Sequence, residues 1–427
     1  MNNIALKSLS VKNFSSFAEP ISFTTEIDKS KKEYLHNTFE LSDNVFNRVS
    51  FIYGANGSGK SMFCKIMLEL QRIINLSPAG FNNDALNSVP GVANNKGFNN
   101  CFAFDTKYKN APTEFSLEIM IEKTNYSYSF TIYNNEITSE TLTKKYRRKE
   151  ALIQRTSPDY KDIVLRSELK GFEPTKQVVR RDALCLPVAA MLNNKLAIII
   201  KSAIDSITVI NMTAAKINPP KFDDSFSDER VAKYTAIIKK ADPTIENICV
   251  SFEEREIGRQ KISSDFENRE IISKMTTIGI DTNHAVFCDG KQESSTTKSL
   301  FEIESLGTIK LFTVLPHLFD VLENGGIMFI DELENGLHLS LAQELIALFI
   351  DEKTNPNHAQ LICTSHQPLL LDNKFRRDQV WVTAKDEFGK SSLHRLSELS
   401  TPRAETNLSE KNKLMKAFGC NPEKFFS

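Results

Sequence analysis

The feature that most constrains this chain is the stretch Gly54-Ala55-Asn56-Gly57-Ser58-Gly59-Lys60-Ser61. It follows the apolar run Val49-Ser50-Phe51-Ile52-Tyr53. It precedes a segment with Met62, Phe63, Ile66, Met67, Leu70 and Ile73 at helical spacing. The pattern predicts a buried strand, a glycine-rich loop and an amphipathic helix in direct succession. Gly54, Gly59, Lys60 and Ser61 fit the spacing G-x-x-x-x-G-K-[ST]. In such a loop successive backbone amides point inward at a helix N-terminus and form an anion nest. Glycine allows positive φ and the close approach of backbone to phosphate. Lys60 is then placed to bridge β- and γ-phosphates, and the Ser61 hydroxyl to ligate Mg²⁺. Asn56, Gly57 and Ser58 complete the nucleotide-binding loop.

A phosphate loop of this kind needs a carboxylate at the end of a neighbouring strand. "GIMFIDE" supplies one. Ile327 to Ile330 read as a buried strand, and Asp331 and Glu332 stand at its C-terminal end, where open α/β sheets bind ligands. Asp331 is the expected Mg²⁺ ligand and Glu332 the expected general base. Two adjacent acids repel unless a cation or proton offsets them.

Around these motifs the pattern is mixed. Residues 4–24 read as one or two strands, and 101–106, 113–123 and 126–142 as an antiparallel meander with a hairpin turn at Asn134-Asn135. Residues 87–100 are Asn/Gly-rich and read as a loop. From about 150 to 275, helical periodicity and proline punctuation predict a mainly helical insertion. Strand signals return at 285–290. A helix is expected at about 305–323 and another across 341–351, with a buried strand at 359–366. The expected fold is α/β, a phosphate-loop core with a mixed sheet and an N-terminal antiparallel meander. The expected division is 1–150 and 276–400 for the two parts of the core, 151–275 for the insertion or lid, and 401–427 for a tail.

The chain has 427 residues and a formal net charge of −1, so a strongly basic nucleic-acid surface is not written into its overall charge. Local basic clusters exist: "KKYRRK" at 144–149, Arg180-Arg181 and Arg376-Arg377. They could meet phosphates or an acidic partner, but each reads equally as a solvated or internally paired edge, and Asp372 and Asp378 stand close to the last. Trp381, the single tryptophan, sits in an alternating strand and reads as packing. Seven cysteines include no CxxC pair, which fits free thiols in a reducing compartment. No long apolar run suggests a leader or a membrane span, so a cytoplasmic protein is expected.

Further motifs follow in a fixed order. "ESLGT" (304–308) precedes the Asp331 strand by one helix length, "ELENGLH" (332–338) follows the acids, and "CTSH" (363–366) ends the next strand. With "LSVKNFSSF" (9–17) this order resembles the ABC-type ATPase heads of the SMC, RecF and OLD group: Walker A, signature, Walker B, D-loop and switch histidine. More narrowly, 365–399 resembles the phage-defence ATPases of the RloA and abortive-infection L type, akin to the ATPases of PARIS, Septu and retron systems. The resemblance implies ATP as the nucleotide. It implies that Ser305 and Gly307 contact the γ-phosphate held by a second copy, and that His366 senses the γ-phosphate in its own copy. The small-residue signature at Ser305 also reads as a plain helix N-cap. No glutamine marks the Q-loop, whose expected place is Phe102 to Asp105, and His338 stands where many heads carry aspartate.

The resemblance implies a slow, homo-oligomeric ATPase, at least a dimer and in such systems a higher even oligomer. It would act as the sensor subunit of an abortive-infection system, answer a phage-derived trigger and control a separate nuclease of Toprim or HNH type. No nuclease signature follows His366, so any effector activity is expected on a partner chain. Two other readings stay open: a RecF- or SMC-like DNA-maintenance ATPase that binds DNA directly, and a nucleotide-locked scaffold that does not hydrolyse.

Overall fold

The computed structural model of the chain describes residues 3–30, 32–80, 100–213, 226–263, 268–371 and 375–398. The loop 87–99, Asp372, Cys420 and the tail 401–427 lie outside these residues. The chain divides into two compact units, residues 1–213, 321–335 and 342–427, and residues 214–320 with 336–341.

The first unit is built on two sheets. One has six strands in the order Thr208–Asn211, Ile327–Asp331, Gln360–Ser365, Val49–Tyr53, Val380–Lys385 and Ser391–Arg395. The first five run parallel and the last is antiparallel. The central strands are buried throughout and mostly apolar because both faces are covered, which is how a parallel sheet reads in sequence. Register aligns their C-terminal ends, with Ser365 opposite Tyr53 and Asn211 opposite Asp331. The second sheet is antiparallel, with seven strands from Ile163–Leu165 through Lys149–Arg155, Glu136–Lys145, Thr124–Tyr133, Thr113–Ile121 and Ile4–Lys12 to Ile21–Thr24. The expected hairpin at Asn134-Asn135 is present, both residues in the left-handed region at φ 50° and 60°, as a primed two-residue turn requires.

The helix Lys60–Leu76 packs between these sheets. Its stripe of Phe63, Ile66, Met67, Leu70, Ile73 and Ile74 is fully buried. It joins Leu9, Val11, Leu117 and Ile119 of the antiparallel sheet to Ile327, Phe329 and Ile362 of the parallel one. The loop at its N-terminus is therefore held by the main core of the unit. Trp381 is buried and packs on Phe23, as expected of a packing residue.

The second unit contains the helix Asp228–Ala241, a three-stranded antiparallel sheet of Ile245–Ser263, Asn268–Cys288 and Lys291–Ser299, and most of the helix Leu306–Asn324. The region 151–275 is thus more mixed than its helical periodicity predicts. Helices do occur at Cys185–Met191, Lys195–Asp205 and Asp228–Ala241. Pro243, however, ends the last of them, and the charged segment beyond it is strand. Its pairing partner lies across a hairpin, and cross-strand pairing is not encoded in local period. Residues 101–105 are likewise not strand: Phe102 is buried, and Asp105 caps the short helix Thr106–Lys109 by accepting from the Lys107 amide at 2.9 Å. Among the described residues no single helix is long and apolar enough to cross a membrane.

Candidate active site

The strand Val49–Tyr53 delivers the chain into the phosphate loop at the C-terminal edge of the parallel sheet. Gly57 and Gly59 take φ of 77° and 117°, values that cost a side-chain-bearing residue about 1–2 kcal/mol. Gly54 is needed for a different reason. A Cβ there would lie 2.3 Å from Thr383 Oγ1, so the glycine lets the loop lean on the neighbouring strand. The Ser58 hydroxyl is 2.6 Å from that same Thr383 Oγ1, and the Ser58 amide donates to the Ala55 carbonyl at 3.1 Å. Ser58 thus braces the loop. Asn56, Gly57, Gly59, Lys60 and Ser61 line an open cleft of about 570 Å³, together with Glu332.

Lys60 is nearly buried, and its ammonium donates to the carbonyls of Gly54 at 2.7 Å and Ala55 at 3.1 Å. Burial lowers its pKa, opposed by the carboxylates of Glu332, Glu334 and Asp331. Those three acids therefore sit within electrostatic reach of the loop lysine, across a sequence separation of about 270 residues.

Asp331 and Glu332 are coupled through a residue the motif reading passed over. The Thr364 hydroxyl donates to Asp331 Oδ1 at 2.7 Å and accepts from the Glu332 amide at 2.8 Å. Glu332 takes a left-handed φ of 54°, a turn that breaks the strand and separates the two carboxylates. Its Oε2 accepts from Asn335 Nδ2 at 3.0 Å. Asp331 stays buried and Glu332 faces the cleft. The oxygen donor set of Ser61 and Asp331 suits Mg²⁺, which takes one or two protein oxygens and completes its shell with phosphate and water.

Glu334 was also missed. Its Oε1 accepts from the His366 backbone amide at 2.7 Å and lies 2.9 Å from His366 Nδ1, while its Oε2 is buried with no hydrogen-bond partner. His366 is half-exposed at the end of its strand, oriented through Nδ1 with Nε2 left over. The sequence signal was a third acid in "DELE", whose partner only sheet adjacency reveals.

Ser305 and Gly307 belong to the second unit. Ser305 Oγ accepts from the Thr308 amide at 3.1 Å, so it caps the helix beginning at Leu306. A Cβ on Gly307 would fall 2.3 Å from the Gly336 carbonyl oxygen of the D-loop segment. Gly307 and Gly336 are thus close neighbours within that unit. His338 is exposed, its Nδ1 2.8 Å from Ser340 Oγ. The Phe102 to Asp105 segment reaches the cleft through Ala103 and Phe104 and brings no glutamine to it.

Residues 49–174 and 195–372 match the family described as "AAA domain, putative AbiEii toxin, Type IV TA system". The chain belongs to this family. It therefore carries an AAA domain of that family. Among solved structures, it is similar to the SMC head domain from Thermotoga maritima, at 15% identity and a TM-score of 0.34, covering 93% of this chain and 99% of that one. It is also similar to the Pyrococcus furiosus Smc head domain bound to the C-terminal domain of ScpA, at 12% identity and a TM-score of 0.39, covering 97% and 99%. At such scores neither likeness bears weight. No curated protein matches the chain.

Proposed function

We propose that this AAA-family protein binds and hydrolyses ATP at the edge where Lys60, Ser61, Asp331, Glu332 and His366 converge, and that two copies complete each site. The convergence of these residues from three adjacent strand ends carries the reading. The loop amides and Lys60 hold the β- and γ-phosphates, and Ser61 and Asp331 hold Mg²⁺. Mg²⁺ held there would draw charge from the phosphate oxygens. Glu332, facing the cleft, takes the proton of the attacking water. Glu334 holds the His366 ring so that Nε2 is free for the γ-phosphate. Ser305, at an outward helix start, suits a γ-phosphate on a second copy. Phe301, Ile303 and Leu306 beside it are exposed, an apolar surface that self-association would cover.

In this reading the ATP-driven change of association is the switch of a phage-defence system of the RloA and abortive-infection type, releasing or restraining a separate nuclease. The family description, with its toxin and toxin–antitoxin terms, supports that context. Direct action on DNA is the weaker reading. Part of the basic clusters is satisfied within the fold: Lys144 pairs with Glu150 and Glu168, Arg180 with Asp182, Arg181 with Glu136, and Arg376 with Asp378, while Lys145, Arg147, Arg148 and Lys149 stay exposed.

Phosphate release by the purified chain tests the chemistry. Lys60→Ala should abolish ATP binding. Glu332→Gln should keep binding and lower kcat by about 10²–10⁴-fold; unchanged turnover would remove Glu332 as base and favour the scaffold reading. For the biological role, a neighbouring nuclease gene should be toxic or silent according to whether this chain is co-expressed. A nuclease indifferent to it would end the sensor reading.

A further inference from the structure

The phosphate end of the cleft is set by Lys60 and Ser61, but the cleft extends beyond them. Ser61 is followed by Met62, whose sulfur is 2.9 Å from Ser15 Oγ, and the Ser15 amide donates to the Asn100 carbonyl at 2.6 Å. The Phe102 amide donates to Asn13 Oδ1 at 3.0 Å. The segment 100–104 is therefore tied down beside the first turn of the phosphate-loop helix. It lines the cleft through Asn100, Cys101, Ala103 and Phe104.

Within that segment two phenylalanines have opposite fates. Phe102 is fully buried, whereas Phe104 is 75% exposed. The Phe104 ring is nevertheless held. It stands edge-to-face on Phe102, with centroids 5.6 Å apart and planes at 85°. It also abuts Gly389, where a Cβ would fall 3.0 Å from the ring and where φ is 81°. The turn carrying Gly389 is fastened to the same segment by Lys390, which pairs with Asp105 and lies 4.9 Å over the Tyr108 ring. A fixed, exposed aromatic ring inside a cleft that also holds a phosphate loop is a surface lacking a flat apolar partner. Lys385, at the end of the adjoining strand, adds a cation to the same wall.

We infer that Phe104 is the stacking platform for the nucleobase of the bound nucleoside triphosphate, held in place by Phe102 and by the glycine at 389. This rests on the nucleotide-binding reading above and adds where the base lies and what recognises it. Stacking on an aromatic face is tolerant of base identity, so the site grips a base without discriminating strongly between purines.

The test compares ATP with inorganic tripolyphosphate, which has the phosphates but no base. Binding of each, with Mg²⁺, is measured by calorimetry on the full chain and on Phe104→Ala, Phe104→Leu, Phe104→Tyr and Lys60→Ala. The expected result is that Phe104→Ala and Phe104→Leu bind ATP about tenfold more weakly, the scale of one lost stack. Phe104→Tyr should stay near wild type, and tripolyphosphate binding should be unchanged in all three. That last measurement also shows that the variants are folded. Lys60→Ala should lose both ligands. Wild-type ATP affinity in Phe104→Ala, or a wild-type chain that binds tripolyphosphate as tightly as ATP, would overturn the stack while leaving the phosphate loop intact; equal loss of both ligands in the conservative Phe104→Leu would overturn it too, by showing that the ring shapes the loop rather than holds the base. A wild-type chain that binds neither ligand would overturn the nucleotide reading itself, and the stack with it.

Discussion

At the residue scale, the acids of the site are ordered by one hydroxyl. Thr364 satisfies a buried carboxylate oxygen and a backbone amide at once, so it sets the relative placement of Asp331 and Glu332. Removing it leaves both groups short of a partner in a nearly dry setting, which costs about 1–3 kcal/mol. Thr364→Val, which keeps the shape, is expected to lower stability by that amount in urea denaturation and to reduce turnover more than ATP affinity. A variant with wild-type midpoint and kcat would show that the acids are positioned by other means. The same scale accounts for three of the cysteines. Burial pushes the thiols of Cys64, Cys185 and Cys363 well up, so they serve as apolar packing.

At the scale of the element, the phosphate loop is strained in places and open in others. A side chain at Gly57 meets nothing within 4 Å and pays only for its φ of 77°, whereas one at Gly59 would also sit 2.7 Å from Ser391 Oγ. Gly57→Ala is therefore expected to cost about 1–2 kcal/mol. Gly59→Ala should cost a further ~1–3 kcal/mol for the overpacking. Chemical denaturation of the two variants measures the order directly, and equal costs would mean that the strand carrying Ser391 yields freely. The rigid wall behind the loop, Thr383 and Ser391 on adjoining strands, belongs to the last strands of the sheet and is distant in sequence from the loop it supports.

At the scale of the whole molecule, Ser305, which caps a helix in the second unit, is the residue proposed to act on another copy. If that helix start meets a nucleotide on another copy, a bulky substitution there should act on assembly alone. Ser305→Arg is expected to leave ATP binding within about twofold of wild type and to remove ATP-dependent self-association of the Glu332→Gln chain in light scattering. Retained association would detach Ser305 from the shared site. Self-association independent of nucleotide would remove the switch.

What was legible from the sequence was what is local or strongly periodic. The strand, loop and helix around Lys60, the acids at the end of an apolar strand, and the hairpin at Asn134-Asn135 each follow from residue types a few positions apart. The same local reading misjudged 245–275, where charged strands are held by a partner strand, and 101–105, where Phe102 is buried without a ladder. Tertiary structure alone decided which strand ends are neighbours. It put Thr364 between Asp331 and Glu332, Glu334 against His366, and Phe104 beside the phosphate loop. The physical reason is that chain spacing sets the local geometry of an element, while its partners are set by sheet order and register, which depend on contacts hundreds of residues apart.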